Sequence, residues 1–235
     1  MIARVPPSAA LSRAQFVAQY VRPALPCVLP GRFAALPART RWLVDRDGRP
    51  TINAEHFLEL IEAQGRDPLV DVELGRMDGA SGGAAVPGDA GAVDFKRSQV
   101  PLSLFVKMVA TAPAGSPYSQ LYLAQTPLLQ ALPALAADAP APALLPAGEH
   151  QYGGSAWIGR AAFTPRHYDV NDNLYVMVGG RKQVSLWAPS GRGGSAPGRN
   201  FAATAAAAAA VVDLEPGDGL FIPRRWWHQV RVLPG

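Results

Sequence analysis

Residues 173–187 of this 235-residue chain read NLYVMVGGRKQVSLW, and this stretch decides the fold class. Two runs, 173–178 and 181–187, are rich in β-branched, aromatic and other apolar residues, as strands are. They flank Gly179-Gly180, and a glycine pair between two strands is typical of a tight two-residue hairpin. The stretch therefore predicts two antiparallel strands joined by that turn.

The predicted hairpin divides its side chains between two faces of a sheet, because directly paired residues point the same way. One face carries Asn173, Tyr175, Met177, Lys182, Val184 and Leu186, and the other carries Leu174, Val176, Val178, Arg181, Gln183, Ser185 and Trp187. Each face mixes apolar and polar residues. A buried lysine is costly unless an anion pairs with it, whereas a lysine at a sheet edge can keep its amine in water. The pattern alone leaves open which face is the interior.

Further short elements surround this stretch. Strands are predicted at 156–159, 220–222 and 226–232, with a turn at 215–218. A short helix is predicted at 12–20, where Ser12 can cap the first turn. Segments rich in alanine, glycine and proline at 78–93, 133–148 and 190–210 predict surface loops. An antiparallel pattern of this kind can close as a barrel within one domain.

Composition limits the location of the protein. Cys27 is the only cysteine, so no internal disulfide can form and a reducing compartment is expected. No apolar run approaches the ~18 residues of a membrane span. The predicted helix near the N-terminus leaves little room for a targeting segment before it. We therefore expect a cytoplasmic or nuclear protein that does not enter a membrane.

The net charge of +4 is unevenly distributed. Residues 151–235 hold nine Arg and Lys against five Asp and Glu, while residues 1–150 hold thirteen of each. A basic half suits an acidic partner such as RNA. A small net charge is also ordinary on the solvated surface of a soluble domain, so both interpretations stay open.

Three residues suggest a metal site. His167 and Asp169 are two positions apart, so both side chains leave the same face if the segment is extended. His228 follows later, directly after Trp226-Trp227. Two histidines and one carboxylate form the facial triad of non-haem Fe(II) oxygenases, which leaves coordination positions open for oxygen chemistry. A His-x-Asp pair alone is weak evidence, so its surroundings matter.

Those surroundings resemble the JmjC hydroxylases. The matching segments are TPRHYD at 164–169, NL at 173–174, VGGRK at 178–182, LEPGD at 214–218, FIP at 221–223 and WWH at 226–228, with YLAQ at 122–125 and a first strand at 26–31 further upstream. The resemblance implies a mainly β fold, a double-stranded β-helix of the cupin or jelly-roll type with flanking α-helices on its N-terminal side. It implies a single domain over 1–235, with a flank at 1–150 and the barrel core at 151–235. The family has a further barrel strand after the last histidine, so we expect this chain to be truncated at its C-terminus.

The resemblance also implies a cofactor, a cosubstrate and their ligands. His167, Asp169 and His228 match the catalytic iron ligands, and Lys182 matches the lysine that pairs with the distal carboxylate of 2-oxoglutarate. Asn173, Thr164 and Tyr122 match polar positions around the same cosubstrate. A dicarboxylate in a barrel needs a cation at its far end and polar donors beside it, so the chemistry agrees.

The function stays open between three alternatives. Within the family, HYDV at 167–170, DNL at 172–174 and WWHQV at 226–230 look closest to the tRNA wybutosine hydroxylases, which favours a modified base of phenylalanine tRNA. Candidate phosphate contacts are Arg181, Arg192, Arg199, Arg224, Arg225 and Arg231, with Trp226 and Trp227 either stacking on bases or packing in the core. The alternatives are a hydroxylase of protein side chains and a non-catalytic cupin-like binding module.

Overall fold

The computed structural model describes residues 2–46, 48–75, 95–113, 116, 118, 121–145, 154–160, 163–189, 208 and 210–233. The strands are β1 (Ala3–Arg4), β2 (Cys27–Leu29), β3 (Leu43–Arg46), β4 (Arg49–Ile52), β5 (Leu69–Gly75), β6 (Phe95–Pro101), β7 (Leu121–Thr126), β8 (Ala156–Gly159), β9 (Phe163–His167), β10 (Asn173–Val176), β11 (Arg181–Trp187), β12 (Ala210–Leu214), β13 (Gly219–Ile222) and β14 (Trp227–Leu233). The helices are α1 (Arg13–Phe16), which continues as a π-helical turn (Val17–Val21), α2 (Ala38–Arg41), α3 (Ala54–Gln64), α4 (Leu102–Thr111) and α5 (Leu128–Ala131), followed by a 3₁₀ helix (Pro133–Ala137).

Two four-stranded sheets form the barrel. One has the order β12-β11-β14-β9 and the other has the order β1-β2-β13-β10. Both sheets contribute to one apolar cluster, which includes Val184 and Leu186 from the first sheet and Leu220 and Ile222 from the second. Because the inward residues of two sheets share this core, the mainly β, cupin-type architecture predicted above is confirmed.

The predicted hairpin at Gly179-Gly180 was wrong. Strand β10 pairs with β13, whereas β11 pairs with β12 and β14, so the two glycines carry the chain from one sheet to the other. Gly180 has φ +71°, and a Cβ on Gly179 would lie 2.3 Å from Leu43 Cδ1. The glycines are therefore needed for a left-handed backbone and for close packing, and not for a two-residue turn.

The side chains predicted to share a face nevertheless share the interior. Met177, Val184 and Leu186 are buried in the same cluster, and Tyr175 packs against it. They meet across the space between two sheets rather than along one sheet. The face that carries Lys182 is thus the inner one, which answers the question that the sequence left open.

The N-terminal flank forms a second layer, and β8, from the segment predicted as barrel core, belongs to the sheet of the flank. A sheet of order β6-β5-β7-β8 and helices α3 and α4 bury Phe57, Phe105 and Leu123 in a separate cluster. The flank also reaches into the barrel, because β2 pairs with β13. The short strand predicted at 26–31 is confirmed by this pairing.

Several local predictions are confirmed by hydrogen bonds. Ser12 and Gln15 form a reciprocal capping box at the start of α1. The turn at 215–218 closes through the Asp218 amide, which donates to the Glu215 carbonyl at 3.0 Å. The Asp218 carboxylate also accepts a hydrogen bond from the Gly31 amide at 2.8 Å, which links this turn to the segment that follows β2.

Other predictions for loops and membranes have mixed outcomes. The loop predicted at 78–93 lies outside the described residues, and so does most of 190–210. The prediction of a surface loop at 133–148 was wrong in its first part. Leu135 in the 3₁₀ helix is buried there, and so is Asp138, which follows the helix. Along the described stretches, no helix has the length and apolar character needed to span a membrane.

Candidate metal centre

The structure brings His167, Asp169 and His228 together. His167 ends β9 and is the direct cross-strand partner of His228 on β14, while Asp169 lies two residues beyond the end of β9. One ligand atom from each of the three residues lies within 4.8 Å of the others. His228 Nε2 is 3.6 Å from Asp169 Oδ2. A sheet register thus places two imidazoles and one carboxylate around a common point.

The backbone fixes which nitrogen of each histidine faces that point. Nδ1 of His167 lies 2.8 Å from the carbonyl oxygen of Pro165, and Nδ1 of His228 lies 3.1 Å from that of Trp226. A carbonyl oxygen only accepts, so each Nδ1 must carry the proton and donate. In the neutral ring Nε2 then keeps its lone pair, which is the form that binds a metal.

Burial keeps His228 in this form. The residue is 5% exposed, and this burial lowers the pKa of His228 below its ordinary value. The hydrogen bond to the Trp226 carbonyl and the charge of Asp169 both raise the pKa of His228, whereas the neighbouring His167 lowers it further. The net direction leaves a neutral imidazole at neutral pH, as a metal ligand must be.

Asp169 is held from two sides. Its Oδ2 accepts a hydrogen bond from Asn173 Nδ2 at 2.5 Å, and its backbone carbonyl accepts from the Arg225 amide at 2.8 Å. The side chain of Asp172 accepts from the Arg224 amide at 2.8 Å, which ties the same loop to the turn before β14. The donor set of two Nε2 atoms and an oriented carboxylate therefore fits a divalent iron with open coordination positions.

Lys182 lies inside the barrel with a phenol as its partner. The residue is 8% exposed, and its Nζ donates to Tyr175 Oη at 2.7 Å. No carboxylate among the described residues lies within 4.0 Å of this ammonium. Burial lowers the pKa of Lys182, and Tyr122 opposes that shift. The site holds a buried cation that is suited to an anionic ligand.

Tyr122 and Thr164 border the same ammonium. Nζ of Lys182 lies 5.9 Å from the centroid of the Tyr122 ring. Burial raises the pKa of Tyr122 to about 12, although Lys182 and a hydrogen bond with Thr164 act in the opposite direction. Tyr122 lies on β7 opposite Gly159 of β8, and a Cβ on Gly159 would lie 2.7 Å from the Tyr122 ring. Gly159 thus leaves the space that the ring occupies.

The predicted cosubstrate residues divide into two groups in space. Lys182 and Thr164 both lie close to Tyr122, whereas the Asn173 amide is bonded to Asp169 beside the proposed metal ligands. Tyr175 belongs to the first group and was missed as a site residue. Its alternation with Asn173 and Met177 was a usable signal, because it placed this hydroxyl on the face of Lys182.

The arginines proposed for phosphate contacts do not form one free set. Arg181 pairs with Glu215 at 2.8 Å, and Arg231 lies over the Phe163 ring at 5.4 Å. Arg192 and Arg199 lie outside the described residues. The backbone amides of Arg224 and Arg225 are used to anchor the loop that carries Asp169.

The two tryptophans before the last ligand have different surroundings. Trp226 Nε1 donates to the Ala24 carbonyl at 2.9 Å, and its ring packs against the barrel core. Trp227 contacts Tyr168 edge-on, with ring centroids 4.8 Å apart. The core alternative weighed for these residues therefore holds for Trp226.

Sequence comparisons find relatives of this chain among known proteins. A lysine-specific demethylase of Arabidopsis thaliana, JMJ30, is 28% identical over 254 residues, which cover 98% of this chain and 52% of that protein. Jumonji C domain-containing protein 5 of Drosophila melanogaster is 34% identical over 133 residues, which cover 47% of this chain and 33% of that protein. The chain spans about half the length, or less, of these curated relatives.

Among solved structures, the ribosomal oxygenase YcfD of Escherichia coli superposes with a TM-score of 0.49 and 14% identity, covering all of this chain and 50% of that one. The sequence profile of the cupin-like domain matches residues 13–192 and 197–235, which is nearly the whole chain. The matched range includes His167, Asp169, Lys182 and His228. The chain belongs to the cupin-like domain family and is related to JmjC proteins.

Proposed function

We propose that this chain is an Fe(II)- and 2-oxoglutarate-dependent oxygenase that hydroxylates a C–H bond of a protein side chain. The observation that carries the proposal is the pairing of an open His-Asp-His site with a buried lysine inside the same barrel. His228 is the cross-strand partner of Leu186, and Lys182 lies four positions earlier on the same strand. Their side chains therefore face one interior space.

The metal would be held by Nε2 of His167, Nε2 of His228 and the carboxylate of Asp169. When bound, iron of this kind activates oxygen while 2-oxoglutarate is decarboxylated to succinate. Asn173 keeps the Asp169 carboxylate turned toward the two imidazoles through its 2.5 Å hydrogen bond. The carbonyls of Pro165 and Trp226 hold the rings in the ligand tautomer.

Lys182 would bind the distal carboxylate of 2-oxoglutarate, with Tyr122 and Thr164 beside it. A buried ammonium needs a counter-charge, and a carboxylate supplies it with two acceptor oxygens. The raised pKa of Tyr122 keeps its hydroxyl protonated near neutral pH, so that this group can donate to the same carboxylate.

A protein substrate is supported by the relatives. JMJ30 is named a lysine-specific demethylase, and oxidation of a methyl C–H bond on a lysine side chain is compatible with the proposed site. The tRNA substrate expected from the local resemblance has less support, since Arg181 is already paired and the backbone of Arg224 and Arg225 serves the metal loop. A binding module without catalysis is disfavoured by the open donor set.

Succinate release is the experiment that tests this function. Purified protein with Fe(II) and 2-oxoglutarate is incubated with cell-extract protein and, separately, with total tRNA, and Asp169→Ala serves as the inactive control. We expect release that depends on added protein and is absent in the variant. Release driven by tRNA alone would replace the protein substrate with a tRNA base. No release above the variant in either arm would overturn the oxygenase proposal.

A further inference from the structure

Tyr175 is the polar side chain of the barrel interior that neither the sequence patterns nor the relatives assign to a role. It projects from β10, in the sheet opposite the one that carries Lys182. Lys182 Nζ donates to its hydroxyl at 2.7 Å and also lies 5.4 Å from the ring centroid. The two sheets of the barrel are thus linked by one polar contact at this level of an otherwise apolar core.

The direction of this hydrogen bond leaves one donor unused. An ammonium group can only donate, so the Tyr175 oxygen accepts and its own O–H proton remains available. Within the described part of the chain, that proton meets no acceptor. Burial also raises the pKa of Tyr175 well above its ordinary value, so the phenol stays protonated at neutral pH. A free O–H donor on a partly buried ring, beside a buried cation, is suited to an anion.

The ring of Tyr175 is held in place by its neighbours. Trp157 on β8 packs against the Tyr175 ring, with the two ring centroids 6.3 Å apart. The Lys182 ammonium contacts the hydroxyl of the same ring. Trp157 itself is 38% exposed, so the Tyr175 ring lies between the surface of the flank sheet and the buried ammonium. A ring fixed in this way limits the space beside Lys182, because packed interiors yield little.

We propose that Tyr175 determines cosubstrate specificity: its O–H donates to the carboxylate that Lys182 binds, and its ring limits the length of the dicarboxylate. This inference rests on the proposed function, since it concerns the same 2-oxoglutarate pocket. It adds the Tyr175 hydroxyl to the donors already proposed for that carboxylate, Lys182 and Tyr122, and it adds a steric limit that disfavours 2-oxoadipate, which is one methylene longer.

Two substitutions distinguish the hydrogen-bond donor role of Tyr175 from the steric effect of its ring. Tyr175→Phe keeps the ring and removes the hydroxyl, whereas Tyr175→Leu also removes much of the ring volume. Tyr20→Phe makes the same chemical change outside the barrel core, where Tyr20 contacts Phe16, and serves as the matched control. Binding is measured by calorimetry with Mn(II) in place of Fe(II), so that no turnover is needed.

We expect Tyr175→Phe to bind 2-oxoglutarate roughly 10- to 100-fold more weakly and to bind Mn(II) with unchanged affinity. We expect Tyr20→Phe to bind both with the affinities of the unsubstituted protein. We expect Tyr175→Leu to shift the affinity ratio toward 2-oxoadipate by about 10-fold or more, the usual effect of one methylene in a fitted pocket. If Tyr175→Leu does not fold, Tyr175→Phe still decides the donor role, and Tyr175→Met, which also replaces the rigid ring with a flexible chain, tests the steric limit by the same affinity ratio.

Unchanged 2-oxoglutarate affinity in Tyr175→Phe would overturn the donor role, and an unchanged ratio in folded Tyr175→Leu would overturn the steric limit. The proposed function fails differently. In that case the unsubstituted protein would bind no 2-oxoglutarate, or would bind it equally well after Lys182→Met.

Discussion

Two clusters in this molecule combine histidine with aspartate, and they differ in how their hydrogen bonds are used. In the flank cluster, defined by Arg41, Trp42, His56 and Asp138, the buried carboxylate accepts from all three partners, at 2.8, 3.0 and 2.7 Å. In the barrel, His167 and His228 give their Nδ1 protons to backbone carbonyls instead. Their Nε2 atoms and the Asp169 carboxylate then converge.

Hydrogen bonding therefore decides whether histidine and aspartate stabilise the fold or remain available to bind a ligand. In the flank cluster, the charge of Asp138 is satisfied by side chains, and the group fastens the chain after the 3₁₀ helix to α2 and α3. In the barrel, the protein backbone satisfies one side of each imidazole and leaves the other side for a ligand. Side-chain proximity alone would not have separated the two clusters.

The largest expected effect is on turnover. Replacing His167, Asp169 or His228 with Ala removes a metal ligand and should abolish succinate release, while the thermal unfolding transition stays cooperative. The matched change in the other cluster, His56→Ala, should keep turnover near that of the unsubstituted protein. Comparable losses of turnover in both clusters would remove the distinction drawn between them.

Lys182→Met tests the cation beside the barrel centre. The substitution keeps the side-chain length and removes the charge, so a charge-assisted contact worth about 1.5–3 kcal/mol is lost. We expect 2-oxoglutarate to bind roughly 10- to 100-fold more weakly in calorimetry, with metal affinity unchanged. Full affinity for 2-oxoglutarate in this variant would mean that the ammonium does not contact the cosubstrate.

Asn173→Ala tests whether the hydrogen bond to Asp169 orients that carboxylate. Loss of a group that orients a metal ligand typically costs 10- to 100-fold, and we expect about 10-fold weaker Mn(II) binding. The sequence resemblance instead placed Asn173 beside 2-oxoglutarate. Weaker 2-oxoglutarate binding with unchanged Mn(II) affinity would favour that alternative.

Asp138→Asn should have the smallest effect on turnover and act on stability instead. The amide leaves at least one of the three donors without an acceptor, which should lower the free energy of unfolding by about 2 kcal/mol at pH 7. Arg41 is more than half exposed, so its share is reduced by solvent. Denaturant unfolding of both proteins measures this difference, and equal stabilities would show that the flank cluster does not stabilise the fold.

The stability difference should depend on pH. Burial by itself would raise the pKa of Asp138, but hydrogen bonds from His56, Arg41 and Trp42 outweigh it and lower the pKa. A carboxyl group with a lowered folded pKa contributes stability that is present above the unfolded value of about 3.9 and is lost as the pH falls through the folded value. The advantage over Asp138→Asn should therefore be constant above about pH 5 and shrink below about pH 4.

The sequence predicted most strands of the barrel, because strand propensity and alternation are local properties. The three residues proposed from the family resemblance as metal ligands lie together in the structure, and their role as ligands stays a prediction. It did not predict which strands pair: Gly179-Gly180 looked like a hairpin turn, yet the close contact with Leu43 and the pairing of β10 with β13 send the chain to the other sheet. Alternation placed Tyr175 on the same face as Lys182, but their hydrogen bond across the two sheets is visible only in the structure. The flank cluster was also unpredictable, since its members come from three separate segments.

Metal stoichiometry tests the central claim most directly. Anaerobic equilibrium dialysis against Fe(II), followed by elemental analysis, is carried out on the unsubstituted protein, Asp169→Ala and His56→Ala. We expect one iron per chain in the unsubstituted protein and in His56→Ala, and none in Asp169→Ala. Iron retained at full occupancy in Asp169→Ala, or lost in His56→Ala with the fold intact, would contradict the assignment of the metal centre to the barrel.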